Sequence, residues 1–316
     1  MIEVKHLTKR YGSHTAISDL SFTIEKGRIY GFLGPNGAGK STTMNILTGC
    51  LSATSGTVTI DGHDIFEDAR EAKRLIGYLP EIPPLYPDRT PREYLNFVAE
   101  CKRVPKQQQA EQLRKVMEMT GITEVADRLI RNLSKGYRQR VGIAQALLGD
   151  PEIIILDEPT VGLDPRQITE IRELIQTLGK DHTVILSSHI LSEVQAVCEK
   201  VLIISKGRLV ACDETADLEK HFAGKAALEL TVEASKEDIG TILDKLDGVS
   251  GFAVEENGDY VNLKIETDRA PEDMCRALFF AFSDVRKPIL RMTTAQASLE
   301  EIFLELTQEE KEEKAQ

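Results

Sequence analysis

Residues 29–42, IYGFLGPNGAGKST, decide the fold. Ile29 to Leu33 form a short apolar run of the kind that makes a buried strand, and the helical pattern TTMNILTG begins at Thr42. Between them, Gly34 to Ser41 spell G-x-x-x-x-G-K-[ST], a phosphate-cradling loop in the strand–turn–helix context that gives it meaning. Gly34, Gly37 and Gly39, with Pro35, Asn36 and Ala38 between them, let backbone N–H groups wrap a phosphate chain. Lys40 then reaches the outer phosphates, the Ser41 hydroxyl suits Mg²⁺, and Thr42 carries the loop into the helix.

A second stretch, IIILDEPT at 153–160, supplies what a magnesium-bound phosphate needs next. Its apolar residues predict a buried strand ending at Asp157, on the carboxyl edge where α/β sheets bind ligands. Asp157 is expected to hold Mg²⁺ through water. Strand alternation points Glu158 the other way, placed to orient or deprotonate an attacking water.

A third stretch, LSKGYRQRVGIAQALL at 133–148, poses a problem. It reads as a helix capped by Ser134, with Gly136 allowing a close approach. Lys135, Arg138 and Arg140 crowd the first turns, where the helix dipole already disfavours cations unless an anion is near. The chain thus carries two phosphate-binding devices about a hundred residues apart.

Bulk properties narrow the class. At 316 residues, 41% hydrophobic and 28% charged, the chain has ordinary globular composition and room for two domains. No apolar run approaches the roughly 20 residues that span a bilayer. The opening MIEVKHLTKRYG lacks a secretory pattern, so any membrane connection is expected through a partner. Five cysteines without a C-x-x-C fit a reducing cytosol rather than disulfides or zinc. The charge is uneven: residues 1–220 hold 28 basic and 30 acidic residues, residues 221–316 hold 11 and 21. Such an acidic C-terminal part argues against nucleic acid as the main partner.

Strands and helices alternate through residue 220, with VTI, VILSS and VLIISKGRLV as further strands and PREYLNFVAECKRV, QAEQLRKVMEMTG and PRQITEIRELIQTLGK as helices. The last is capped by Asp164, with Pro165 at its first position. This predicts an α/β fold, a largely parallel sheet covered on both faces. From 221 to 308 the order becomes β-α-β-β-α-β plus a helix, SLEEIFLELT, compatible with a small ferredoxin-like α+β accessory domain. Residues 309–316 read as an acidic, solvated tail.

GPNGAGKST, LSKGYRQR, IIILDEPTVGLD and ILSSHILSE stand in the order and spacing of ABC-type ATPases. Over residues 1–220 the chain resembles ATP-binding subunits of ABC exporters of the drug-resistance and gliding-motility branch. The resemblance implies the P-loop core fold of that family with a helical subdomain at about 82–150, ATP and Mg²⁺ as ligands, and ATP hydrolysis coupled to transport. Tyr11 matches the aromatic that stacks on adenine, His189 the switch histidine at the γ-phosphate, and Asp164 the loop communicating across the dimer. Leu133, Ser134, Lys135, Gly136 and Tyr137 match the signature that completes another subunit's ATP site. Lys135 and Tyr137 replace the more common glycine and glutamine, and Glu81 stands where glutamine is usual as a metal contact. By resemblance the partners are a second ATP-binding subunit, identical or not, and a membrane permease docked around PEIPPLYPDRTPREY. The expected location is the cytoplasmic face of the cell membrane. The anion for the signature is then the γ-phosphate of a neighbouring subunit's ATP. Two readings of its basic excess stay open: Lys135 touching that phosphate, and Arg138 and Arg140 pairing with nearby acids.

Overall fold

The computed structural model describes residues 1–215, 226–243, 246–258 and 260–295. The chain divides into two compact units, Met1–Thr215 and Ala216–Gln316.

In the first unit, β3 (Ile29–Leu33), β7 (Ile153–Asp157) and β8 (Thr183–Ser188) are buried along their whole length. Continuous burial is what a parallel strand covered on both faces requires. With β6 (Ile76–Leu79), β9 (Lys200–Ser205) and β10 (Arg208–Glu214) they form a six-stranded sheet, ordered β10-β9-β3-β8-β7-β6. All neighbours are parallel except β10, which returns antiparallel on β9. Tyr30, Phe32, Ile155, Ile185 and Leu202 point to one face, against Met44, Ile46 and Leu47 of α1 (Lys40–Leu47). On the opposite face α7 (Leu191–Val197) packs on β3 and β8, and α6 (Pro165–Leu178) on β8, burying Ile171, Leu174 and Ile175.

A second, antiparallel sheet was not visible in the residue pattern. It comprises β1 (Ile2–Tyr11), β2 (His14–Ile24), β4 (Ser55–Ile60) and β5 (His63–Asp64), ordered β2-β1-β4-β5. Of these, only the VTI segment of β4 reads as a strand by pattern. The register of β1 shifts three times against β2, and His6 sits at φ 52°. Each irregularity resets the two-residue alternation by which a half-buried strand is recognised. Ile2, Val4 and Leu7 nonetheless share the core with the parallel sheet, and Phe22 lies 5.9 Å from Phe32 by ring centroids.

Three helices, α3 (Pro91–Cys101), α4 (Lys106–Met119) and α5 (Lys135–Leu147), follow β6, preceded by the short α2 (Ala69–Arg74). A capping box starts α3: Glu93 N–H donates to Thr90 Oγ1, and Thr90 N–H to Glu93 Oε2. Lys102, just past its end, donates to the Ala146 and Leu148 carbonyls at 2.9 and 2.7 Å, tying α3 to the end of α5. Loss of water around that ammonium pulls its pKa down to about 8.

In the second unit, β11 (Ala226–Val232), β12 (Val249–Asn257), β13 (Tyr260–Thr267) and β14 (Ile289–Ala295) form an antiparallel sheet ordered β12-β13-β11-β14. Leu228, Leu230, Leu263 and Ile265 pack on Ile239 and Ile242 of α8 (Lys236–Leu243) and Met274, Leu278 and Phe282 of α9 (Pro271–Asp284). The β12–β13 hairpin closes on the pair Asn257–Tyr260, and Gly258 begins the turn at φ 67°, so the turn starts one residue later than one at Asn257-Gly258 would. The boundary expected at 220/221, the helix SLEEIFLELT and the tail 309–316 lie outside the described residues.

Candidate functional site

Strands β3, β8 and β7 lie side by side with matched ends: Leu33 pairs with Ser188, and Ser187 with Asp157. Their carboxyl ends therefore release the loop 34–39, His189 and Glu158 into one place. A cleft of about 600 Å³ opens there, lined by Asn36, Gly37, Gly39, Lys40, Ser41 and Thr42 from the P-loop. Tyr11, Glu81, Glu158 and His189 complete the wall. Gly39, which caps α1, sits at φ 104°, a conformation L side chains rarely adopt, and the Ala16 carbonyl lies 2.7 Å from where its Cβ would be.

The charged groups face one another. Lys40 is 5% exposed; its Nζ donates to the Gly34 carbonyl at 2.8 Å and the Pro35 carbonyl at 3.3 Å, and lies 3.4 Å from Glu158 Oε1. Glu158 Oε2 is 2.9 Å from His189 Nδ1. Ser41 Oγ donates to Asp157 Oδ1 at 3.3 Å, and Ser187 Oγ to the same oxygen at 2.5 Å. Burial, with Asp157 and Cys50 nearby, pushes the Tyr78 hydroxyl well above its usual range. Ala38 is buried in the loop, and Tyr11 is half exposed with Lys9 Nζ 5.2 Å from its ring centre.

Glu158 does not follow the alternation expected of it. The strand ends at Asp157, and Glu158 takes φ 48°, which turns its carboxylate back toward Lys40. A left-handed non-glycine residue costs on the order of 1–2 kcal/mol, offset here by the contacts to Lys40 and His189. Ser187 escaped the sequence reading as well; its hydroxyl takes the Glu158 N–H at 2.9 Å while holding Asp157. His14 and Val161 also line the cleft without any signal in the residue pattern; His14 pairs with Tyr11 across the β1–β2 turn.

Ser134, Gly136, Tyr137 and Asp164 line a second cleft, of about 480 Å³, that shares no lining residue with the first. Two helix starts meet there. Ser134 Oγ accepts the Tyr137 N–H at 3.3 Å, and Asp164 Oδ1 accepts the Gln167 N–H at 2.9 Å. A Cβ on Gly136 would lie 2.5 Å from Gln167 Oε1, so the close approach that Gly136 allows is that of α6.

The basic excess resolves residue by residue. Arg138 donates to the Leu133 carbonyl at 2.7 Å. Arg140 donates to the Thr120 carbonyl at 2.9 Å and to Glu170 at 2.6 Å. Among the described residues, Arg140 pairs with an acid and Arg138 with a carbonyl. Leu133 is buried, Lys135 carries its ammonium over Gly162, and Tyr137 donates to Glu124, which raises the tyrosine pKa.

The family described as ABC transporter matches residues 17–161. The linearmycin resistance ATP-binding protein LnrL of Bacillus subtilis (strain 168) is 33% identical over 309 residues, covering 97% of this chain and 98% of that protein. The bacitracin transport ATP-binding protein BcrA of Bacillus licheniformis is 42% identical over 212 residues, covering 66% of this chain and 68% of its own. Among solved structures, an ATP-binding subunit of an ABC transporter aligns with TM-score 0.65 at 28% identity, over 78% of this chain and 100% of its own. A dimeric ATP-binding cassette in a post-hydrolysis state, bound to ADP and Pi, aligns with TM-score 0.62 at 26% identity, over 68% of this chain and 98% of its own. With a P-loop, an acid-tipped strand and a signature helix in place, the chain belongs to the ABC transporter family as an ATP-binding, ATP-hydrolysing subunit.

Proposed function

We propose that this subunit pairs head to tail with a second ATP-binding subunit, and that the pair drives an export permease carrying an antimicrobial compound. The observation that carries the reading is the separation of the two clefts within one chain. Each cleft is half of a site, and a two-fold arrangement presents the first of one subunit to the second of the other.

In that arrangement Lys40 and the 34–39 loop hold the phosphates, and Tyr11 at the mouth takes the adenine. Ser134 and the N-terminus of α5 close over the γ-phosphate from the partner, and Asp164 joins the two halves. Glu158 orients the water and accepts its proton, with His189 beside it to contact the γ-phosphate. Ser41 Oγ and Asp157 Oδ1, 3.3 Å apart, are the hard oxygen donors Mg²⁺ takes, with the Glu81 carboxylate on the same cleft. Bound there, Mg²⁺ neutralises phosphate charge. Glu81 adds a negative charge where glutamine is usual and weakens closure over the γ-phosphate.

The named roles of linearmycin resistance and bacitracin transport in the relatives support export as the direction. Among the described residues no helix is long and apolar enough to cross a membrane. In this reading the subunit sits at the cytoplasmic face of the membrane, on a separate permease. The exposed Tyr86 and Phe97, beside the proline-rich segment after Glu81, support docking of the permease there. Residues 221–308 are an accessory domain in this reading, and 82–150 the helical subdomain.

Ser134→Arg tests the trans site. ATP binding by the monomer, titrated directly, should stay within about twofold, while ATP-driven dimerisation measured by light scattering is lost. Normal dimerisation would remove the signature cleft from its role.

A further inference from the structure

Glu193 lies on α7, outside both clefts, and is 6% exposed. A carboxylate so far from water is tolerated only when donors replace its hydration. Its Oε2 accepts from Thr160 Oγ1 at 2.6 Å and from Ser188 Oγ at 3.0 Å. These hydroxyls belong to different segments, a loop and a strand end. Thr160 follows β7, two residues past Glu158, whose carbonyl accepts the Val161 N–H at 3.2 Å. Ser188 ends β8 immediately before His189, and its oxygen also accepts the Ile190 N–H at 3.0 Å. The Ser188 hydroxyl thus bridges across His189 to the Ile190 N–H, and one carboxylate oxygen ties that hydroxyl to the loop bearing Glu158.

We infer that Glu193 is a positioning residue for ATP hydrolysis: it fixes the register between the Glu158 loop and the His189 loop, and so the 2.9 Å contact between those side chains. The β7–β8 pairing stops at Asp157 and Ser187, and past it side chains align the two segments: Ser187 Oγ holds the Glu158 N–H, and Glu193 ties Thr160, farther along that loop, to Ser188. An acidic residue in the first turn of a helix is favourable on dipole grounds alone. That role needs neither burial nor partners on two loops, and Glu193 has both.

The inference rests on Glu158 and His189 acting at the γ-phosphate, so Glu158→Gln is measured in parallel. If Glu158→Gln leaves kcat unchanged, the site reading fails; if it abolishes turnover while Glu193→Ala does not lower it, the inference alone fails. In the full chain, Glu193→Ala should lower kcat about 10-fold or more, since misplacement of about 1 Å costs on that scale. The Kd for ATP should stay within about twofold, because no P-loop contact changes. The imidazole ¹⁵N signals of His189 should shift as its contact with Glu158 loosens. Glu193→Gln, whose carbonyl accepts the same two hydroxyls, should recover kcat to within about threefold of wild type. Should the alanine variant fail to fold, Thr160→Val and Ser188→Ala each remove one donor, and their kcat losses should be non-additive in the double variant. The inference is overturned if His189 signals stay in place, if kcat falls only with the folded fraction, if glutamine does no better than alanine, or if the two hydroxyl losses simply add.

Discussion

The P-loop cleft and the signature cleft are both read as sites for the same phosphate, yet they place charge in opposite ways. In the first, a nearly buried ammonium, Lys40, is aimed into the cleft and faces Glu158 at 3.4 Å. In the second, the arginines that make the sequence look like an anion site are turned to partners in their own chain, Leu133, Thr120 and Glu170. The second cleft presents two capped helix starts, with Arg140 and Arg166 on its wall beside Glu170. In the proposed pairing, one half meets phosphate with a fixed side-chain charge, and the other with backbone N–H groups, a hydroxyl and helix dipoles. In that reading the first cleft holds nucleotide alone.

The contrast is most sharply broken at Glu158. Glu158→Gln should keep ATP binding while steady-state turnover drops about 10²-fold or more, and an ATP-dependent dimer should persist in size-exclusion chromatography. Unchanged ATPase activity would take the water-activating role from this residue. Next in size is Lys40→Ala. It removes charge-assisted contacts worth about 1.5–3 kcal/mol each, so nucleotide affinity in calorimetry should fall at least about 10-fold. Normal affinity would mean that the first cleft does not depend on its ammonium.

Arg140→Met should have the smallest effect and a different character. Breaking the Arg140–Glu170 pair, whose acid is partly solvated, should cost about 1–2 kcal/mol in denaturant unfolding. ATP-driven dimerisation, measured by light scattering on the folded fraction, should not change. A loss of dimerisation without a loss of stability would show that this arginine serves the partner's phosphate after all.

The two clefts were not equally legible. GPNGAGKST between a strand and a helix states its own geometry, because local chain direction and glycine conformation make the loop. The caps Ser134 and Asp164 were legible for the same reason: each bonds an N–H only three residues on. Partners of the cations were not, since Arg140 reaches residues 20 and 30 positions away. Nor was the side to which Glu158 points, because alternation applies only while a strand lasts. The sheet around β1 escaped through its bulges, although Ile2, Val4 and Leu7 belong to the same core as Phe32. Sequence spacing reports what neighbours do along the chain. It does not report which distant carbonyl takes up a charge.

Gly136 illustrates how that limit affects the interpretation of variants. The side-chain amide of Gln167 occupies the space next to it, so a side chain at 136 first displaces that amide. Gln167 lies in the first turn of α6, where its N–H bonds the Asp164 cap, so the displacement falls beside the cap of the neighbouring helix. An inactive Gly136 variant would invite the conclusion that the glycine touches nucleotide. The packing adds a second meaning: a residue at 136 also evicts the Gln167 amide, so lost activity would report on a crowded neighbour as much as on a lost contact.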